Sequence, residues 1–215
     1  MSSFVLKNVI LPNDQVTDVL VDGSKIAGVE SGLTASESID CSGLRILPGF
    51  VDLHTHLREP GFEQSETVLT GTQSAALGGF TAVHAMANTS PVADNLAVVE
   101  LVRNLGIRAG YCDVFPVGAV TKGLAGAQLA DLASMANSQA AVRVFSDDGK
   151  CVSDALVMRS ALEYTKAFGG VIAQHAQEPT LTVDAQMNEG AISAKLGLKG
   201  WPAMAEESII ARDVL

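Results

Sequence analysis

From Gly49 onward, short apolar runs alternate with segments whose apolar residues recur at helical spacing. This alternation restricts the fold more than any other feature of the chain. Gly49–His54 reads as a strand, followed by a helix over Glu66–Leu77 that Gly78-Gly79 stops. Phe80–Met86 predicts a second strand, and Val98, Leu101, Val102 and Leu105 predict the helix after it. Tyr111–Val117 reads as a third strand, with Leu129, Leu132, Ala133 and Ala136 marking a third helix. Ala141–Phe145, a helix through Val157, Ala161, Tyr164 and Phe168, and Val171–Gln174 continue the series. Strands that alternate with helices form βα units on a parallel sheet, so the fold class is α/β. Five such units are legible, and a closed barrel of this type needs about eight. The expected fold is therefore an incomplete (β/α)8 TIM-type barrel over residues 49–215. A complete doubly wound open sheet is the competing reading, but the glycine-rich phosphate loop of that fold is missing. Ala205 to Leu215 keeps a helical pattern without a stop signal, so the chain is expected to be the N-terminal part of a longer protein.

Residues 1–48 follow a different grammar and are read as a separate unit. Phe4–Leu11, Val16–Val21, Lys25–Val29 and Ser38–Cys41 are short strand candidates. Pro12-Asn13-Asp14 and Asp22-Gly23 are turn signals between them, and Pro48-Gly49 closes the region.

Composition excludes several functions. With 215 residues and 47% apolar content, the chain has material for one sizeable core and a small second unit. Its net charge of −10 argues against nucleic-acid or anionic-membrane partners, both of which call for an excess of Lys and Arg. Cys41, Cys112 and Cys151 are widely spaced and form no Cys-x-x-Cys pair, so no zinc ribbon or disulfide framework is expected. A reducing, cytoplasmic setting fits. The N-terminal residues lack a basic segment followed by a long apolar run, and no apolar stretch is long enough to span a bilayer.

The residues suited to chemistry fall at strand ends. His54 and His56 end the first barrel strand two positions apart. Residues i and i+2 share a strand face, so both imidazoles can serve one metal ion. Asp147 and Asp148 follow the fourth strand, and His175 follows the fifth. This is the edge on which barrel active sites are built. One of the two aspartates is expected to cap or turn the chain and the other to be free for metal; strand alternation does not say which. His84 lies within the second strand and is read as a core histidine outside the site. Arg58, just past His56, suits an anionic ligand group, or else an ion pair with Glu59 or Glu63. Asn88 offers an amide to a ligand, or supports the turn before Pro91.

Together these segments resemble the cyclic amidohydrolases, and within them the dihydroorotases of the long-chain bacterial type. The resemblance rests on Gly49-Phe-Val-Asp-Leu-His-Thr-His-Leu-Arg-Glu-Pro-Gly61, Ala85-Met-Ala-Asn-Thr-Ser-Pro91, Phe145-Ser-Asp-Asp-Gly149, Ala173-Gln-His-Ala-Gln-Glu178 and Gly200-Trp-Pro-Ala-Met-Ala-Glu-Glu-Ser208. Ala87 departs from the pattern, since many members carry proline there. The resemblance implies that residues 1–48 are part of a small β-sandwich. It implies two zinc ions, with His54 and His56 on one, His175 on the other and Asp148 bridging them. Arg58 and Asn88 would hold a substrate carboxylate. A further histidine ligand and an aspartate general base are expected beyond Leu215. The implied reaction is the reversible interconversion of N-carbamoyl-L-aspartate and L-dihydroorotate, a small-molecule reaction of de novo pyrimidine synthesis. Other outcomes of the same resemblance are a dihydropyrimidinase or hydantoinase, an allantoinase, or a non-catalytic scaffold subunit of aspartate transcarbamoylase. Homo-oligomerisation or association with aspartate transcarbamoylase is also expected from it. The chain by itself is expected to be inactive.

Overall fold

The computed structural model describes residues 3–215, which divide into two compact units, one ending at Gly49 and one spanning Phe50–Leu215. The first unit is a four-stranded sheet of β1 (Phe4–Ile10), β2 (Val16–Asp22), β3 (Lys25–Val29) and β4 (Glu37–Asp40), in the order β3-β2-β1-β4. β1 pairs antiparallel with β2 and parallel with β4, and β2 pairs antiparallel with β3. Val9, Val19 and Cys41 form its buried apolar centre, with Leu6, Leu11, Val21 and Ile46 packed around them. So small a core gives modest stabilisation, and a buried polar knot supplements it. The Asp18 carboxylate accepts from Lys7 Nζ at 2.9 Å, from the Asn8 N–H at 3.1 Å and from the Gly32 N–H at 2.9 Å. Lys7 Nζ also donates to the Leu33 carbonyl at 2.6 Å, so one ion pair fastens β1, β2 and the 32–33 turn together.

The second unit carries five parallel strands in a row. β5 (Phe50–Thr55), β6 (Phe80–Ala85) and β7 (Asp113–Pro116) form one sheet, and β8 (Val144–Phe145) and β9 (Val171–Ile172) form another. A parallel bridge between Gly118 and Phe145 links the two sheets. Helices α1 (Val68–Leu77), α2 (Leu96–Ala109), α3 (Leu132–Asn137) and α4 (Ala155–Thr165) connect successive strands, and α6 (Met204–Val214) ends the unit. Local chemistry sets the helix starts. Thr67 and Thr70 form a reciprocal capping box at α1, Asn95 caps α2, and Asp154 caps α4 through the Val157 N–H.

Two apolar clusters hold the helices to the strands. Val83, Ala85 and Val114 of β6 and β7 pack on Val68 and Val102 of α1 and α2. Phe145, buried at the start of the second sheet, packs with Leu132, Met135, Met158 and Ala161 of α3 and α4. Gly106 lets α2 lie directly on β7, because a Cβ there would sit 2.5 Å from Val114 Cβ. Phe50, Val51 and Leu53 on β5 and Val171 on β9 are each more than half exposed, so both outer strands of the row present apolar side chains to solvent.

Element bounds differ from expectation at several places. Glu66 and Thr67 precede α1 rather than lying in it, since Thr67 is its cap. Leu129 is not helical: it bridges Thr121, and the Ala130 N–H donates to the Val120 carbonyl at 2.9 Å, so α3 begins only at Leu132. Ala141–Arg143 are not strand. The N–H groups of Ala141 and Val142 turn back to Ser138 and Met135, which shortens β8 to two residues. Between Gln174 and α6 the chain forms a two-stranded parallel ladder, β10 (Met187–Asn188) with β11 (Gly200–Trp201), and the short helix α5 (Ala191–Leu196), none of which the apolar pattern suggested.

The Asp18 knot gives a pH prediction. The Lys7 hydrogen bond, chiefly, and the backbone donors hold the Asp18 carboxyl below its ordinary value of 3.8. A depressed folded-state pKa contributes stability that is present above the unfolded value and is lost as pH falls through the folded one. Asp18→Asn is therefore expected to unfold at lower temperature than the parent at neutral pH. That gap should close as pH drops below 3.8. Thermal unfolding followed by circular dichroism across this range measures it, and a pH-independent gap would remove the ion pair as its cause.

Candidate metal centre

β5 delivers His54 at its C-terminal end and His56 just beyond, and both imidazoles reach one carboxylate oxygen. His54 Nε2 and His56 Nε2 each lie 3.3 Å from Asp148 Oδ2. His175, after β9, brings Nδ1 to 3.3 Å from the other oxygen, Asp148 Oδ1. One buried carboxylate thus separates two histidine sets. His54, His56 and Asp148 alone offer three ligand atoms within 4.8 Å of one another.

Hydrogen bonding behind the rings shows what such a cluster needs. The ring edge of His56 away from Asp148 has Nδ1 3.0 Å from the Asn88 side-chain oxygen. The far edge of His175 has Nε2 3.0 Å from the Gln177 side-chain oxygen. An amide oxygen only accepts, so each of these nitrogens carries the hydrogen. In a neutral ring the other nitrogen then presents a lone pair, and both lone pairs face Asp148, itself an acceptor. Acceptors 3.3 Å apart require a positive charge between them. Protons would have to sit on the rings or on Asp148 itself, which donates when protonated. Divalent cations meet the requirement with neutral rings, and imidazole with carboxylate is a donor set for first-row metals.

Asp147 has the other role. It is 1% exposed, and Oδ1 accepts the Val120 and Thr121 N–H groups at 2.8 and 2.9 Å. Its Oδ2 accepts from the Thr121 hydroxyl. Burial pushes the Asp147 carboxyl above its ordinary range, while the Thr121 and Val120 donors pull it back. Asp147 therefore ties the loop after β7 to the end of β8, and its neighbour Asp148 faces the histidines. No local signal marks this division, since Val120 and Thr121 lie more than twenty residues away.

Arg58 and Asn88 sit on two loops that lock together. The Ser90 N–H donates to the Pro60 carbonyl at 2.9 Å, and Gly61 (φ +100°) lies so close that a Cβ there would be 2.2 Å from Ser90 O. Arg58 adopts a left-handed φ of 59°, an uncommon conformation for a bulky residue. The expected alternative partners of Arg58 are occupied elsewhere. Glu59 Oε2 accepts the Val68 N–H at 2.8 Å, at the start of α1, and Glu63 Oε1 accepts the Gly61 N–H at 2.8 Å. Among the described residues Arg58 enters no salt bridge. His84 stands apart from the cluster: its ring stacks on Phe115 at 5.3 Å, and its Nδ1 lies 3.3 Å from the Asp52 carbonyl oxygen.

Gly61→Ala is expected to force the two loops apart and to cost about 1–3 kcal/mol, the range for a residue held in a disfavoured backbone region. Denaturant unfolding of variant and parent measures it. An unchanged midpoint would mean that the loops tolerate separation.

The model of the dihydro-orotase-like family matches residues 43–215. The dihydroorotase of Leifsonia xyli subsp. xyli is 65% identical over 215 residues, which are 99% of this chain and 49% of that protein. The dihydroorotase of Streptomyces coelicolor is 61% identical, over 100% of this chain and 51% of its own length. The chain thus spans about half the length of these curated relatives. Among solved structures, the L-hydantoinase (dihydropyrimidinase) of Arthrobacter aurescens superposes with a TM-score of 0.75 at 20% identity, covering 99% of this chain and 49% of that one. The dihydropyrimidinase of Brevibacillus agri does so with 0.69 at 23% identity, over 99% and 49%. At these identities the likeness is one of fold. The family match covers most of the chain and includes every residue of the histidine–aspartate cluster, so the chain belongs to the dihydro-orotase-like family.

Proposed function

We propose that this chain carries the metal-binding and carboxylate-binding part of a dihydroorotase, which interconverts L-dihydroorotate and N-carbamoyl-L-aspartate in pyrimidine synthesis. The observation that carries the reading is the acceptor cluster around Asp148 together with Arg58, a cation two residues from His56 that enters no salt bridge among the described residues. The identities of 65% and 61% to dihydroorotases support the same assignment. The five parallel strands are read as part of an eight-stranded (β/α)8 barrel. The exposed apolar side chains of β5 and β9 support this, because further strands would cover them. The sheet of the first unit is read as part of a small β-sandwich.

The donor set fits zinc. Ligands at about 2.0–2.1 Å in a tetrahedral array stand roughly 3.3 Å apart. That matches the 3.3 Å between Asp148 oxygens and each of the three imidazole nitrogens. His54 and His56 would hold one ion and His175 a second, with Asp148 serving both. When bound, such ions supply a Lewis acid for the ring amide carbonyl and make water acidic enough to attack it at neutral pH. The protein's own residues do the rest. Arg58 pairs with the substrate carboxylate through its guanidinium fork. Asn88 keeps its side-chain oxygen on His56, and its NH₂, without a hydrogen-bond partner among the described residues, would donate to the same carboxylate. The Gly61–Ser90 contact holds these two groups at a fixed spacing. A hydantoin or dihydropyrimidine ring has no carboxylate and would leave Arg58 unpaired, so the fold likeness to hydantoinases does not extend to substrate.

The test is steady-state kinetics on the intact protein with L-dihydroorotate and, in parallel, with the carboxylate-free dihydrouracil, alongside metal content. Dihydroorotate is expected to be the substrate. Arg58→Ala is expected to lower kcat/KM by about 2–4 kcal/mol in transition-state terms, with metal content unchanged. Turnover of dihydrouracil in preference, or unchanged kinetics in the variant, would reject the carboxylate-binding reading.

A further inference from the structure

We infer that Gln177, held by Thr182, is a positioning residue that sets His175 for its metal ion. The inference rests on the metal reading of the site. Its logic starts at the backbone. The Thr182 hydroxyl has one hydrogen and lies 3.3 and 3.4 Å from the Glu178 and Pro179 carbonyl oxygens, which only accept. That hydrogen is thereby committed, so the Thr182 oxygen acts as acceptor towards Gln177 Nε2, at 2.8 Å. An amide whose NH₂ end is fixed has its oxygen fixed too, and that oxygen lies 3.0 Å from His175 Nε2. His175 must then carry its hydrogen on Nε2 and present the Nδ1 lone pair to the side of Asp148 Oδ1. A chain of four groups, from backbone carbonyl to imidazole, thus selects one tautomer and one ring orientation.

The location explains why such a device is needed. β9 ends at Ile172, and no regular element holds His175 or the residues after it until Met187. Backbone geometry alone leaves the ring free to rotate about χ1 and χ2. Thr182 is buried, at 8% exposure, and so gives the relay a fixed anchor. His54 and His56, by contrast, are placed by β5 and its continuation. Hydrogen-bonded partners of metal-binding histidines commonly govern metal affinity by 10–100-fold.

The experiment measures zinc affinity by competition with a chelating dye on the metal-free intact protein, together with the melting temperature of the metal-free form. Gln177→Ala is expected to weaken one of the bound ions by about 10–100-fold while leaving the metal-free melting temperature in place. Gln177→Glu, whose carboxylate still accepts from His175 Nε2, is expected to retain tight binding. Thr182→Val removes only the hydroxyl and is expected to weaken the same ion in the same direction. Unchanged affinity in Gln177→Ala overturns the inference. So does a fall in metal-free stability that Gln177→Glu fails to rescue, which would make Gln177 a packing residue only. A parent protein that binds no zinc, or a His175→Ala variant with undiminished zinc stoichiometry, would instead reject the underlying metal reading.

Discussion

The Asp148 carboxylate is the point on which the rest of this unit converges. It is buried, it only accepts, and three imidazoles approach its two oxygens at equal distances. A buried carboxylate with no committed donor is costly, and the imidazoles around it form with it a group that could hold a metal ion. Both amides behind the rings reinforce that choice, because Asn88 and Gln177 each claim the hydrogen on the far side of a histidine. The electrostatics of the site are therefore written in hydrogen-bond polarity as much as in net charge.

Holding four donors together requires loops to be as fixed as strands, and much of the polar chemistry of the chain serves that end. Asp147 spends its whole carboxylate on the Val120–Thr121 loop, which brings the end of β7 against the end of β8. Arg212 donates to the Val152 and Ser153 carbonyls, and Gln174 donates to Val152 as well, so the segment after Asp148 is fastened to α6 and to the residue beside His175. Glu59 closes the start of α1, and Gly61 rests on Ser90. These contacts engage Glu59, an acidic neighbour of Arg58, with a backbone N–H group. In a chain of net charge −10, Arg58 enters no ion pair among the described residues.

The likeness to hydantoinases and dihydropyrimidinases is one of scaffold, which does not by itself fix function. The strands and the helices that cover them recur at 20% identity, where little of the sequence is shared. Arg58 and Asn88 lie on loops, whose positions depend on contacts between loops, such as Ser90 N–H to the Pro60 carbonyl, and not on the sheet alone.

The sequence by itself determined the α/β class, because alternating periodicities leave few other ways to bury the apolar faces. It also determined that His54 and His56 share a face, since a strand turns side chains with a period of two. Its limits appear wherever the partner is distant. It could not assign Asp147 and Asp148, because adjacent residues on an irregular strand end differ only in what the fold brings near them. It left Arg58 between Glu59, Glu63 and a ligand, and only the structure showed both glutamates engaged with backbone N–H groups. Leu129 has helical spacing, yet the Thr121 loop captured it for a bridge, since tertiary hydrogen bonding outweighs a weak local preference. Gln177 lies in the segment after His175 that carries the resemblance, but nothing in the sequence singled it out. Its role depends on the direction of one amide, which Thr182 and the backbone carbonyls fix only once the loop has folded.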